Sequence, residues 1–370
     1  MQKLHRWSLK KLMKTWIWLL LVLLLIFIQL ISRDAYFIEK YYTYGFYPAW
    51  SRSFRWLLGW VPLSVGDLVY LLLIIVFIAK ILHILISLFK KEWRQLHFLN
   101  GVKSFVFFLL LVYVFFYIAW GLNYSRKGIA YQLGLHVTAY TLPELDTLTN
   151  ILQERLNMYA ANVNQQEREG LKKKNRLFEK SQDAYRIASI QYPFLKYRPE
   201  SLKPSLFSYA GNVLGFLGYY NVFTGEGQVN TTYPFFTQPF TTCHEMAHQV
   251  GYAKENEANF VGYLACRSHP SNAYKYSVYF DLYRYAINEI YNRDSLLAIN
   301  YQKKLHPQVL RDIAVLRRFN KKYQNNIEPI FNWAYNNFLK ANNQPAGRAT
   351  YNEVVAWLIA YRKKFGDAAL

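Results

Sequence analysis

Three apolar runs near the start of the chain, at about residues 15–32, 61–85 and 104–121, restrict what it can fold into. In lipid every backbone N–H and C=O must find its partner within the segment, so runs of this length cross as helices. The expected architecture is mainly α. Residues 1–122 form a membrane domain of three transmembrane helices. Residues 123–370, where no comparable run occurs, form a soluble α+β domain.

The first run follows Lys3, Arg6, Lys10, Lys11 and Lys14 and resembles a signal peptide. The stretch Ile31-Ser32-Arg33-Asp34 makes a poor cleavage site, so an uncleaved helix is expected. Arg33 to Trp60 reads as a polar, aromatic loop, with a short helix or re-entrant piece around residues 49–58. Asp67 lies near one end of the second run, and Lys80 can snorkel from the other. Trp120 and Tyr124 are expected at the far interface of the third helix. The net charge of +21 suits a bilayer with anionic lipid. No nucleic-acid motif and no Gly-rich phosphate loop accompanies it.

In the soluble part, Thr141-Leu-Pro-Glu144 marks a helix start, followed by Leu145, Leu148, Leu152 and Leu156 at helical spacing. Val213 to Phe223 reads as a strand or hairpin, a small β-ribbon ahead of the next helix. Such an edge offers backbone groups to an extended peptide, and Tyr219, Tyr220 and Asn221 are candidates to touch it. Asn272 to Asn292 is a Tyr-rich helix. Its Tyr276, Tyr279, Tyr283 and Arg284 are either core or a source of oxyanion stabilisation. Cys243 and Cys266 are read as buried thiols or, alternatively, as a pair.

The chemistry concentrates in Thr241-Thr-Cys-His-Glu-Met-Ala-His-Gln-Val-Gly251, which contains His-Glu-x-x-His. Residues four apart share a helix face, so His244 and His248 can hold one zinc ion. Glu245 then stands beside the open coordination position and can act as general base on zinc-activated water. Pro239 precedes the helix, Thr241 or Thr242 is expected to cap it, and Gly251 to end it. A third ligand is needed. Lys254 occupies the place where a metzincin has its third His, which excludes that pattern. Glu255 is the best candidate, and Glu257 is its rival.

Glu255-x-x-Ala-Asn259 resembles the second motif of gluzincins. That likeness implies Glu255 as ligand and Asn259 as the residue that orients a ligand His. Gly218-Tyr-Tyr-Asn-Val-Phe-Thr-Gly-Glu226, the His-Glu-x-x-His stretch, and Glu257-Ala-Asn-Phe260, behind three membrane helices, resemble the Bacteroidetes membrane family catalogued as domain of unknown function 3810. The resemblance implies a multi-pass protein of a bacterial inner membrane with a zincin-like site. The expected function is a membrane-anchored zinc metallopeptidase acting on a peptide or protein substrate, with His244, His248 and Glu255 on the metal and Glu245 as catalytic base. The alternative is a non-catalytic zinc-binding membrane receptor or scaffold. In that case Glu257 or Cys243 would close the site as fourth ligand.

The densest basic segments are the first 14 residues, with five Lys/Arg, and residues 90–103, with four; residues 33–60 have four in 28. Dense basic segments stay cytoplasmic. Three crossings then carry the soluble domain to the periplasm.

Overall fold

The structure is a computed structural model that describes residues 2–89 and 96–370, with side chains described from Thr15 onward except those of residues 87–97 and 351. The basic side chains of the N-terminal segment and of Lys90 to Arg94 therefore lie outside the described residues.

Two helices, Val65–Phe89 and Leu96–Ala119, are long and apolar enough to cross a membrane. They form an antiparallel hairpin. The Phe77 and Phe105 rings lie 5.5 Å apart, and Lys80 Nζ donates to Ser104 Oγ at 2.7 Å. Lys80 thus reaches its neighbour helix rather than the lipid surface. A third candidate span exists if the bent pair formed by residues 15–31 and 35–58 is taken together; the two parts meet at 95°. By these helices the chain is a membrane protein.

The short helix expected around residues 49–58 is present as Tyr47–Leu58, and most of the expected loop before it is helical as well. The Asp34 side chain accepts hydrogen bonds from the N–H groups of Tyr36 and Phe37 and starts the turn. A π-helical stretch, Ile38–Phe46, runs into an α-helix, Tyr47–Leu58. The apolar spacing explains it. Ile38, Tyr42 and Tyr47, four and five residues apart, are all buried in one core with Leu21, Ile28, Trp120, Tyr220 and Val222. Trp120 and Tyr124 belong to the same core and not to an interfacial belt. The Trp120 ring packs 5.4 Å from that of Tyr220 and 5.8 Å from that of His248.

Residues 123–370 are helical around one small sheet. Strands β1 (Leu202–Pro204), β2 (Gly218–Asn221) and β3 (Glu226–Val229) lie in the order β1-β3-β2. β3 is parallel to β1 and antiparallel to β2. The β2–β3 turn is closed by Asn221 Oδ1, which accepts from the N–H groups of Phe223 and Thr224, and Gly225 supplies the positive φ of 71°. The ribbon is shorter than the sequence suggests, because Val213 and Leu214 end the helix Ser208–Leu214. β2 is a sheet edge, as a peptide-binding strand must be. The buried Asp67 ties the start of the Val65–Phe89 helix to this edge. It accepts from the Leu206 N–H at 2.7 Å and from the Tyr219 hydroxyl.

Thr141 and Glu144 form a reciprocal capping box, and Leu145, Leu148, Leu152 and Leu156 are all buried. The Tyr-rich helix Asn272–Arg293 packs against them. Tyr276 donates to Asp312 and Tyr279 to the Leu370 carbonyl, so both are structural. Cys243 and Cys266 are free, buried thiols.

Candidate metal centre

The motif helix runs from Gln238 to Gln249, and every residue in it is buried. It begins earlier than its threonines suggest. Thr242 sits inside, its hydroxyl bonded to the Gln238 carbonyl, and Pro239 occupies the first turn, where a missing N–H costs nothing. The helix stops at Gly251, whose φ is 93°. Gly251 N–H donates to the His248 carbonyl and Tyr252 N–H to that of Ala247, the paired bonds of a Schellman motif. The turn also points the Tyr252 carbonyl back at the His248 ring.

A second helix, Glu255–Ser268, packs across the first. Gly262 sets the approach. A Cβ there would lie 3.1 Å from the His244 nitrogen and 3.2 Å from its Cα. This contact brings the start of the second helix to the His face of the first.

His244 Nδ1 lies 2.8 Å from Asn259 Oδ1, and His248 Nδ1 lies 2.7 Å from the Tyr252 carbonyl oxygen. Each ring therefore uses Nδ1–H as donor and leaves Nε2 for a metal. The Nε2 atoms of His244 and His248 converge on Glu255 Oε2, at 3.2 and 3.5 Å. Tetrahedral zinc with bonds of about 2.0–2.2 Å separates its ligand atoms by about 3.3–3.6 Å. Both separations to Glu255 are thus close to a tetrahedral edge, and the three donor atoms all lie within 4.8 Å of one another. Among the described residues these three form the group able to hold a metal ion.

Glu255 is fixed from two sides. Tyr335 donates its hydroxyl to Oε1 at 2.8 Å, and the Glu255 N–H donates to Gln344 Oε1 at 2.9 Å. Oε2, the atom facing both imidazoles, accepts no conventional hydrogen bond although it is buried. Glu257 points elsewhere. Its carboxylate fills the space where a Gly128 Cβ would stand, near Lys254 and Arg126. We expect Glu255→Ala to lower zinc affinity by more than about 100-fold and Glu257→Ala to leave it unchanged while lowering the melting temperature. Competition against a zinc chelator, run beside thermal unfolding, checks both. The opposite ranking would move the ligand role to Glu257.

Burial acts on all the titratable groups here. It drives the His248 imidazolium toward the neutral form, yet the Glu255 carboxylate more than offsets this and raises its pKa to about 9. Burial likewise opposes ionisation of Glu255, but the two imidazoles hold its carboxyl well below the usual range. His244 is shifted down, chiefly by burial. A metal ion arriving between these groups takes the place of a shared proton. Burial also raises Glu245 to about 8, with His248 opposing and Glu255 adding to the rise. Its Oε1 rests against the β2 backbone, where a Cβ on Gly218 would lie 2.5 Å away; its buried Oε2 makes no hydrogen bond.

A cavity of about 1080 Å³ reaches this group at His244. His244 and Glu245 stand in its wall with Leu217, Gly218 and Tyr219 from the β2 edge. Tyr220 and Asn221 do not reach it; Tyr220 is buried against Tyr47, and Asn221 closes the turn. Arg284 lines the cavity, as does Tyr285, one residue beyond the tyrosines of the sequence reading. Tyr335, Tyr285 and Gly262 were not singled out from the sequence. Gly262 left a signal, a lone glycine inside an otherwise regular helix. Tyr335 left none.

Fold and site together define a membrane protein with a buried His-His-Glu group at the end of a large cavity. The chain matches the family described as "Protein of unknown function (DUF3810)" over residues 42–359 and belongs to that family. No curated protein and no solved structure matches it.

Proposed function

We propose that the protein is a zinc-dependent peptidase anchored in the membrane. The observation that carries this reading is the convergence of two imidazole nitrogens on one carboxylate oxygen at 3.2 and 3.5 Å, with Glu245, whose buried Oε2 makes no hydrogen bond, on the cavity side. His244, His248 and Glu255 would hold the metal. A zinc ion bound there supplies Lewis acidity, activating water and polarising a carbonyl.

The rest falls to the chain's own residues. A substrate strand lies along β2, whose free edge offers backbone donors and acceptors. Glu245 takes a proton from the attacking water and returns it to the leaving amine. Asn259 and the Tyr252 carbonyl hold the imidazoles in register, and Tyr335 holds Glu255. The zincin-like arrangement of edge strand, motif helix and ligand helix belongs to this reading. The test is hydrolysis of a mixed peptide library by the zinc-loaded full chain in lipid nanodiscs, with chelator-treated protein as control. Absence of cleavage with zinc bound and the fold intact rejects a peptidase. A cobalt-substituted protein whose spectrum shows no exchangeable water supports the scaffold alternative, a closed site with a fourth protein ligand.

We propose that residues 123–370 face the periplasm from a bacterial inner membrane, as the basic residues beside the helices suggest. The first helix carries the chain out, the hairpin returns it twice, and the bent segment 35–58 stays beside the soluble domain, with which it packs. Alkaline phosphatase joined after Leu370 is expected to be active, and a fluorescent cytoplasmic reporter at the same point dark. The reverse pair of results places the site inside the cell.

A further inference from the structure

The cavity does not end at the metal group. From His244 and Glu245 it continues between the two membrane helices, lined by Leu73, Ile74 and Phe77 on one and by Phe108, Leu109 and Val112 on the other. Phe77 lies 12 residues into its helix from Val65, and Phe108 lies 11 residues before Ala119. At 1.5 Å per residue the floor of the crevice lies about 16–18 Å along the helices from their ends at Val65 and Ala119. That is roughly half of a hydrocarbon layer about 30 Å thick, or one leaflet. Below it the helices close, through the Phe77–Phe105 ring contact and the Lys80–Ser104 hydrogen bond.

Resting on the peptidase reading above, we propose that the substrate is a lipid-anchored peptide. Its acyl chain occupies this crevice while its first amide bonds reach His244 and Glu245. Two features select this occupant. The lower walls are wholly apolar, and the upper walls carry Asp281, Arg284 and Asn352, so the ligand must be amphipathic along its length. The depth fits a chain drawn from one leaflet. An acyl chain gains little by leaving lipid for an equally apolar crevice. Its effect is positional, raising the effective concentration of the attached amide at the site.

The test uses the full-length Glu245→Gln variant in nanodiscs. The probe is an octapeptide bearing an N-terminal palmitoyl chain with a mid-chain diazirine; a phospholipid with the same label is the reference. Illumination should place the palmitoyl-peptide adducts on Leu73, Phe77, Phe108 and Val112. The phospholipid should mark positions that do not line the crevice, such as Leu72 and Ile75. Ile74→Trp and, independently, Leu109→Trp, which fill the crevice from opposite walls, should remove the crevice adducts. In the otherwise unaltered enzyme the same substitutions should lower cleavage of the palmitoylated peptide by about tenfold or more and leave its acetylated counterpart within about twofold. Adducts distributed as for phospholipid, or displacement of the probe by a single-pass helical peptide, overturn the proposal. Crevice adducts without cleavage of any peptide would retain the lipid site and reject the peptidase. Equal cleavage of both peptides without crevice adducts would do the converse.

Discussion

Glu245→Gln leaves zinc bound and lowers peptide turnover by about 10²–10⁴-fold, the usual worth of a general base. The amide keeps the shape of the side chain but cannot take a proton. Glu245 lies outside the group of three donors, so its loss does not remove a ligand. Burial already favours its neutral form, raising its pKa to about 8, so a neutral amide against the Gly218 backbone costs little stability. Metal content by mass spectrometry, unfolding temperature and kcat on one cleaved peptide separate these effects. Full turnover with zinc in place would remove Glu245 from the mechanism.

His248→Ala has the larger structural effect. Two ligands remain, and zinc should fall below detection in the purified protein. The substitution also removes the charge that holds Glu255 ionised. Breaking a buried pair by deleting one partner costs about 3–5 kcal/mol, so the chelator-treated variant should unfold well below the chelator-treated parent. The sign of the pH dependence follows from the two shifts. Glu255 is depressed, so its contribution is present above its ordinary value of 4.5 and is lost as pH falls below it. His248 is raised to about 9 from 6.5, so its contribution is complete below 6.5 and is lost as pH rises through about 9. The stability gap between metal-free parent and variant should therefore be widest between about pH 4.5 and 6.5. A gap that is flat with pH, or widest above pH 9, would show that no charge pair forms.

The metal group was legible because its donors are local. Two imidazoles share a face through a spacing of four, and Glu255 follows within one turn and a glycine stop. Glu257 was separable only in space, since either carboxylate fits the spacing until the second helix is oriented by the Gly262 contact. The apolar runs were legible by length alone. The segment after the first helix was misread because Tyr and Trp suit an interfacial belt and a core equally well; burial decides, and burial depends on contacts with Tyr220, Val222 and Trp120 far along the chain. Tyr335 is 80 residues from the carboxylate it fixes. No local pattern encodes such a pairing.

The C-terminal end of the motif helix has one further consequence. Its last carbonyls are taken up by the segment between the first two membrane helices and by the residue after the third: Tyr47 and Ser51 donate to Gln249, Arg55 donates to the same oxygen at 2.9 Å, and Trp120 Nε1 donates to His248 at 3.3 Å. A chain shortened to begin at Asn123 would lose all four donors, and with Arg55 the one cation among them at the negative end of that helix. The helix that carries His244 and His248 is thus not built to stand apart from the membrane part. If the protein is the proposed peptidase, shedding residues 123–370 by proteolysis would disarm it, so its action is confined to what the bilayer surface presents.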